Sequence, residues 1–126
     1  MIFSLKQFKI YSNLSNLDKL YKMSHFAIGA PGFSQLERIE YAIPTILVSQ
    51  NKTHIKLLQY WRLSGCAVVA ENLGNDLKSK IVSLLKSETL KQKINNNIKK
   101  KFDDKGLVRI IKKMESFCKE FNLRKD

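Results

Sequence analysis

Short apolar segments alternate with longer segments of helical periodicity along this chain, and the alternation strongly constrains its fold. The apolar segments with the length and composition of strands are residues 8–11, 25–28, 45–48 and 66–70. The helical segments begin at about Ser15, Ser34, Lys52, Asp76, Ser87 and Leu107. Such alternation is typical of a parallel sheet that is covered by helices. The sequence therefore predicts an α/β fold, a small Rossmann-like parallel sheet of about four strands with helices on both faces.

The length of 126 residues predicts a single domain. Residues 1–85 contain all the predicted strands and are expected to form the α/β core, and residues 86–126 are expected to form a basic helical C-terminal tail. Ser15 and Ser34 each stand three positions before an acidic residue. This spacing predicts that both serines cap a helix. Gly65 is expected to end the helix that precedes the last strand.

The chain is strongly basic, with 23 Lys and Arg against 11 Asp and Glu, a formal charge of +12. The tail carries 13 basic and 6 acidic residues, so the excess is concentrated there. Such a charge indicates a polyanionic partner: a nucleic acid, an anionic membrane surface or a phosphorylated substrate. A base bias of the genome would give the same lysine-rich composition without any partner.

Several classes of protein are not expected. No apolar run approaches the roughly 20 residues that span a bilayer, and residues 1–6 do not resemble a signal peptide, so we expect a cytoplasmic location. Two cysteines and two distant histidines predict neither a metal site nor a disulfide scaffold. Cys66, Cys118 and Trp61 are expected in the core. No nucleophile–base pair has convincing spacing, so we predict no catalytic residue and no cofactor.

The loop after the second predicted strand carries the strongest functional signal. Gly29 and Gly32 would let a ligand approach the backbone closely. Ser34 places a hydroxyl at a helix N-terminus, where free N–H groups favour a phosphate. Glu37, one turn later, has a carboxylate that can accept two hydrogen bonds from a ribose diol. The same residues also fit a plain strand-to-helix turn in which Glu37 only completes the capping box.

The residues around this loop resemble a known family. The stretch SHFAIGAPGFSQLER at residues 24–38, followed by AIPTILV at 42–48 and LSGCA at 63–67, is similar to the C-terminal half of GT-B-fold nucleotide-sugar enzymes. Within these enzymes it is most similar to the UDP-sugar hydrolases of pseudaminic acid biosynthesis. It is more distantly similar to the UDP-N-acetylglucosamine transferases of peptidoglycan synthesis. The resemblance covers roughly residues 9–71, about half of the chain.

The resemblance implies a UDP-sugar partner and half of a GT-B fold. It implies that Gly29, Gly32 and Ser34 hold the diphosphate and that Glu37 holds the ribose. It also implies that the catalytic groups lie on an N-terminal domain or partner subunit that is missing from this sequence, so that this chain alone is inactive. Further candidates for contacts with the nucleotide sugar lie in the two other loops expected at the same edge of the sheet: Asn13, Asn51 and His54.

Two other functions stay open at this point. The first is a basic α/β interaction module whose C-terminal helices, including Lys99, Lys100 and Lys101, bind a nucleic acid or an anionic membrane surface. The second is a degenerate domain that is kept only for assembly. Pro31 and Phe33, which differ from the family's loop, favour that reading. His54 also has a simpler interpretation, as a surface histidine where a helix begins.

Overall fold

The computed structural model describes residues 7–121. Within them lie three strands, β1 (Ala27–Gly29), β2 (Thr45–Val48) and β3 (Val68–Ala70). The α-helices are α1 (Asp18–Met23), α2 (Phe33–Glu40), α3 (Ile55–Ser64), α4 (Asn75–Lys86), α5 (Glu88–Lys101) and α6 (Gly106–Glu120). A short 3-10 helix, Lys52–His54, leads directly into α3. The predicted α/β class is confirmed. The first six residues, which were compared with a signal peptide, lie outside the described residues.

The strands form one parallel sheet in the order β1-β2-β3. Ile46 in the central strand lies opposite Ile28 of β1 and Val68 of β3. Parallel neighbours need a crossover connection. Here α2 joins β1 to β2, and α3 joins β2 to β3. Because all strands run in the same direction, their carboxyl ends lie along one edge of the sheet, where open α/β sheets bind ligands.

The predicted strand at residues 8–11 is wrong, and the sheet of the described chain has three strands rather than about four. These residues adopt no regular secondary structure, and Ile10 is 95% exposed. Alternating apolar residues stabilise a strand when one of its faces packs on a core. That burial does not occur here, so the local pattern is not sufficient to hold the segment in the sheet.

The predicted helix boundaries meet different outcomes. Gly65 ends α3 in the left-handed conformation, with a φ of 68°, as expected. Ser87 begins α5, because its hydroxyl accepts a hydrogen bond from the backbone N–H of Leu90 at 3.1 Å. Capping by Ser15 and Ser34 is wrong, since α1 and α2 both begin without a side-chain cap. α2 begins one residue before Ser34, and Gly32 occupies its N-cap position.

The core is built on the central strand. Ile46 and Leu47 of β2 are completely buried, as is Leu84 of α4. α5 contributes Ile94 and Ile98, which are 2% and 5% exposed, to the same cluster. The first two helices of the C-terminal part therefore pack into the same core as the sheet. Of the residues predicted to be buried, Cys66 and Trp61 are confirmed, at 0% and 4% exposed.

α6 differs from the other long helices because none of its residues is buried. Cys118 lies on this helix and is exposed, so the prediction that it belongs to the core is wrong. The apolar periodicity of the helix is present, but no other element in the described part of the chain covers it. Within residues 7–121, no helix has the length and apolar composition to cross a membrane.

The conformation of Gly65 makes a first prediction about stability. A Cβ at this position would lie 2.5 Å from Nδ2 of Asn97, which donates a hydrogen bond to the Gly65 carbonyl at 3.0 Å. A side chain in the left-handed region costs about 1–2 kcal/mol. We therefore expect Gly65→Ala to lower the free energy of unfolding by about 2 kcal/mol, measured by urea denaturation. Gly106→Ala is the matched control, because its Cβ would meet nothing closer than 3.9 Å. Equal midpoints for the two variants would contradict this account.

Candidate functional site

The loop of residues 30–32 connects the carboxyl end of β1 to α2 and is fixed from both sides. The carbonyl of Ala30 accepts a hydrogen bond from Nη2 of Arg38 at 2.8 Å. The carbonyl of Pro31 accepts one from Nε1 of Trp61 at 3.2 Å. Pro31 is fully buried, and the Trp61 ring stacks on Phe102 with centroids 5.7 Å apart. The loop therefore has a conformation set by two side chains, one from the following helix, 8 residues away, and one 30 residues away.

Arg38 is the most unusual residue at this edge of the sheet. It is a charged residue only 6% exposed, and its hydrogen bonds go to neutral groups alone. Besides Ala30, its Nε donates to Oε1 of Gln35 at 3.0 Å, and its Nη1 donates to the Ser34 hydroxyl at 3.3 Å. No carboxylate among residues 7–121 forms an ion pair with it. Burial lowers the pKa of the Arg38 guanidinium, yet arginine stays protonated at neutral pH. A buried positive charge without an ion pair therefore lies under the loop, within the electrostatic influence of the neighbouring Glu37.

The two glycines of the loop have different surroundings. A Cβ on Gly29 would lie 2.7 Å from Nη1 of Arg38. The space beside Gly29, where the sequence predicted close approach of a ligand, is thus occupied by the Arg38 guanidinium. A Cβ on Gly32 would meet nothing within 4 Å. The open approach to the backbone is therefore at Gly32, directly before the first turn of α2.

The N-terminus of α2 has the properties of an anion site. The first N–H groups of a helix have no partner within the helix. Gly32 at the N-cap has no side chain that could accept from them, and Ser34 lies inside the helix with its hydroxyl directed to Arg38. Gln35 is completely buried, and its Nε2 has no hydrogen-bond partner. Backbone donors, the positive end of the helix dipole and the Arg38 charge all favour an anion here.

Glu37 lies one turn after Ser34 and on the side of α2 that faces α1. Its exposed carboxylate accepts a hydrogen bond from the Tyr21 hydroxyl at 3.0 Å. Burial raises the pKa of Tyr21, and the bond to Glu37 raises it further. The Tyr21 ring also contacts Tyr41, with centroids 5.4 Å apart. These three side chains line an open cleft of about 560 Å³ between residues 14–18 and α2.

The other candidates are distributed differently. Asn13 has a left-handed φ of 54° in the irregular segment before α1. Because the strand predicted before it does not form, Asn13 is not at the carboxyl end of a strand, and that expectation is corrected. Asn51 and His54 do follow β2. The Asn51 side chain accepts from the backbone N–H of Thr53 at 3.0 Å, and Nδ1 of His54 accepts from that of Gln50 at 3.3 Å. Both therefore stabilise their own turn.

Sequence reasoning missed the two buried polar residues of the site. Gln35 and Arg38 stand one and four positions after Ser34, and a spacing of three or four residues brings side chains together on a helix. That spacing was available, but nothing local indicates that the polar face is turned inward. The loop after β3 was also missed. There the backbone N–H of Glu71 donates to Oδ2 of Asp76 at 2.6 Å, at the beginning of α4.

Comparisons of the chain with protein-family models, with curated proteins and with solved structures give no match. The similarity to nucleotide-sugar enzymes therefore stays a prediction from the motif residues themselves. Within the described residues, no group of three or more His, Cys, Asp or Glu side chains is arranged to hold a metal ion.

Proposed function

We propose that this chain binds a UDP-sugar and is the C-terminal half of a GT-B-type glycosyltransferase or nucleotide-sugar hydrolase in the synthesis of surface polysaccharide or nonulosonic acid. The observation that carries the proposal is the buried Arg38 guanidinium, which lies without a carboxylate partner beneath the uncapped N-terminus of α2. A Rossmann-like arrangement, which supports this function, is compatible with the parallel order β1-β2-β3.

The charge of the site favours a diphosphate. A buried charge is costly unless an opposite charge compensates it. A diphosphate at Gly32 would place negative oxygens next to the N–H groups of the first turn and within the field of Arg38. Charge-assisted hydrogen bonds of this kind are about twice as strong as neutral ones. The anion would thus add to the negative charge of Glu37, which acts on Arg38 through its field but forms no ion pair with it.

The nucleoside would occupy the cleft beside Glu37. Its carboxylate is exposed and already accepts the Tyr21 hydroxyl, so it is oriented to accept hydrogen bonds from a ribose diol as well. The half-buried rings of Tyr21 and Tyr41 line the cleft and offer surfaces on which a base can stack. A general base and the acceptor or water would come from the other half of the enzyme, in agreement with the absence of a predicted catalytic residue in this chain.

Titration with UDP, followed by amide NMR, tests the proposal. We expect saturable shifts at Gly29, Gly32 and Ser34 with UDP, weaker ones with uridine, and little response to ADP. Gly32→Ala adds a methyl group in open space, so the fold should tolerate it while the ligand should not. We expect it to weaken UDP binding at least about tenfold, or about 1.4 kcal/mol. Glu37→Ala should weaken UDP binding by a similar factor.

Glu88→Ala is the matched control, because Glu88 is an exposed acidic residue at the first position of another helix, α5. It should bind UDP with unchanged affinity. Equal responses to UDP and ADP would exclude selectivity for uridine. No saturable response to UDP, with each variant folded as judged by its amide spectrum, would overturn the proposal.

A further inference from the structure

α6 presents an apolar face that no other element among residues 7–121 covers. The face is formed by residues at helical spacing, each between 47% and 69% exposed: Leu107, Ile110, Ile111, Met114, Phe117 and Phe121. The rings of Phe117 and Phe121 contact each other, with centroids 4.5 Å apart. Isolated apolar residues are common on protein surfaces, but a continuous stripe of this size indicates an interaction site.

The opposite side of α6 is basic. It carries Arg109, Lys112, Lys113 and Lys119 against the acidic Glu115 and Glu120. Arg109 is paired with Asp103 at 2.8 Å, and the three lysines form no ion pair among residues 7–121. The last turn of α5 adds Lys99, Lys100 and Lys101, and the segment between α5 and α6 adds Lys105 together with Asp103 and Asp104. The whole of residues 86–121 has eleven basic and five acidic residues. α6 thus combines an apolar stripe with an opposite side of net positive charge.

An apolar stripe and a basic side on one helix favour one kind of binding partner over others. A second copy of the chain would bring two basic segments together, and each copy carries a formal charge of +12. A nucleic acid would bind the lysines but would leave the phenylalanines in water. An anionic bilayer surface satisfies both halves of the helix, because the acyl region accepts the apolar side chains and the headgroups attract the lysines.

We propose that α6 binds in the plane of an anionic membrane surface, with its apolar stripe among the upper acyl chains and its lysines at the headgroups. With its 15 residues, the helix is about 22 Å long. The helix therefore lies on the membrane surface and does not span the bilayer. This inference is independent of nucleotide binding, because it depends on a different helix.

Flotation with large unilamellar vesicles tests it on the full chain. We expect binding to vesicles of 30% phosphatidylglycerol in phosphatidylcholine, and at least about tenfold weaker binding to pure phosphatidylcholine or in 0.5 M salt. Phe117→Gln should reduce binding to the anionic vesicles about tenfold, and the double variant Lys112→Ala and Lys113→Ala should reduce it by a similar factor. Leu63→Gln, at a residue of α3 that is 77% exposed, is the matched control and should bind normally.

Three results would overturn the proposal. The first is vesicle binding that Phe117→Gln leaves unchanged, because another surface would then be responsible. The second is a dimer in analytical ultracentrifugation that Phe117→Gln dissociates, with no vesicle binding. The third is salt-sensitive binding to duplex DNA with no vesicle binding. UDP binding is measured on the same samples, so that failure here stays separate from failure of the proposed function.

Discussion

Replacement of Trp61 by alanine is expected to lower the free energy of unfolding by about 3–5 kcal/mol, the usual cost of deleting a buried tryptophan side chain. Trp61 is 4% exposed, stacks on Phe102 and donates a hydrogen bond to the Pro31 carbonyl. The variant loses the burial of the ring, the stacking contact and the tie to the loop together. Since domains are commonly stable by about 5–15 kcal/mol in total, the loss would leave the protein marginally folded.

Trp61→Phe separates the two roles of this residue. Phenylalanine keeps much of the apolar volume and can still stack on Phe102, but it cannot donate to Pro31. We expect the loss of this hydrogen bond to lower the free energy of unfolding of Trp61→Phe by about 1 kcal/mol. We also expect chemical-shift changes at residues 30–32 in a protein that stays folded. Guanidinium denaturation and amide NMR measure the two effects. A Trp61→Ala midpoint equal to that of the unmutated protein would show that the ring is not part of the core.

The sequence allowed good prediction of the elements whose signal is local. Residues 45–48 are a continuous apolar run, and the structure buries them as the central strand. Gly65 ends α3 because its left-handed conformation is a property of one residue. The segment 8–11 has an equally clear strand pattern. A strand also needs a neighbouring strand and a buried face, and the sequence of the segment alone determines neither. The predicted capping by Ser15 and Ser34 is wrong for a similar reason. Ser15 lies before the N-cap position of α1 and Ser34 lies inside α2, and the same serine-to-acid spacing fits a serine before, at or after the N-cap position.

The candidate site divides in the same way. Gly29, Gly32 and Ser34 were found because a strand, a glycine loop and a helix follow one another in sequence. The contacts that hold residues 30–32 in their conformation come from side chains outside the loop. Trp61 meets Pro31 across 30 residues, and a Cβ at Gly29 would lie 2.7 Å from Nη1 of Arg38. The sequence therefore predicted the position of the loop between a strand and a helix, and the binding roles of its residues stay predictions.

Loss of the Arg38 charge is expected to have the largest effect on ligand binding. Among residues 7–121, Arg38 is the only buried cation, and it lies under the loop of residues 30–32. Arg38→Met removes this charge and leaves the Ala30 carbonyl and Oε1 of Gln35 without their donor. Each buried group that loses its partner costs about 1–3 kcal/mol. Removal of a buried charge that has no ion pair offsets part of that cost. We expect the free energy of unfolding to fall by about 2 kcal/mol and the affinity for UDP to fall about a hundredfold, or about 2.7 kcal/mol.

Arg38→Lys and Arg62→Met show which property of Arg38 matters. Lysine keeps the charge but has no planar fork that can reach Ala30, Gln35 and Ser34 at once. It should retain more affinity for UDP than methionine does, if the field of the charge attracts the diphosphate. Arg62 is half-exposed and pairs with Glu71 on the surface, so Arg62→Met should change neither stability nor binding by more than about 1 kcal/mol.

Calorimetric titration with UDP and denaturation with urea, on the same three variants, distinguish a charge that binds the ligand from one that only holds the loop. If Arg38 only holds the loop, Arg38→Lys and Arg38→Met lose affinity in proportion to their loss of stability. If its charge attracts the diphosphate, the two variants differ in affinity by more than they differ in stability, and the difference shrinks as salt is added, since salt screens the field at the open side of Gly32. A folded Arg38→Met protein that binds UDP as tightly as the unmutated chain would remove the observation on which the proposed function depends.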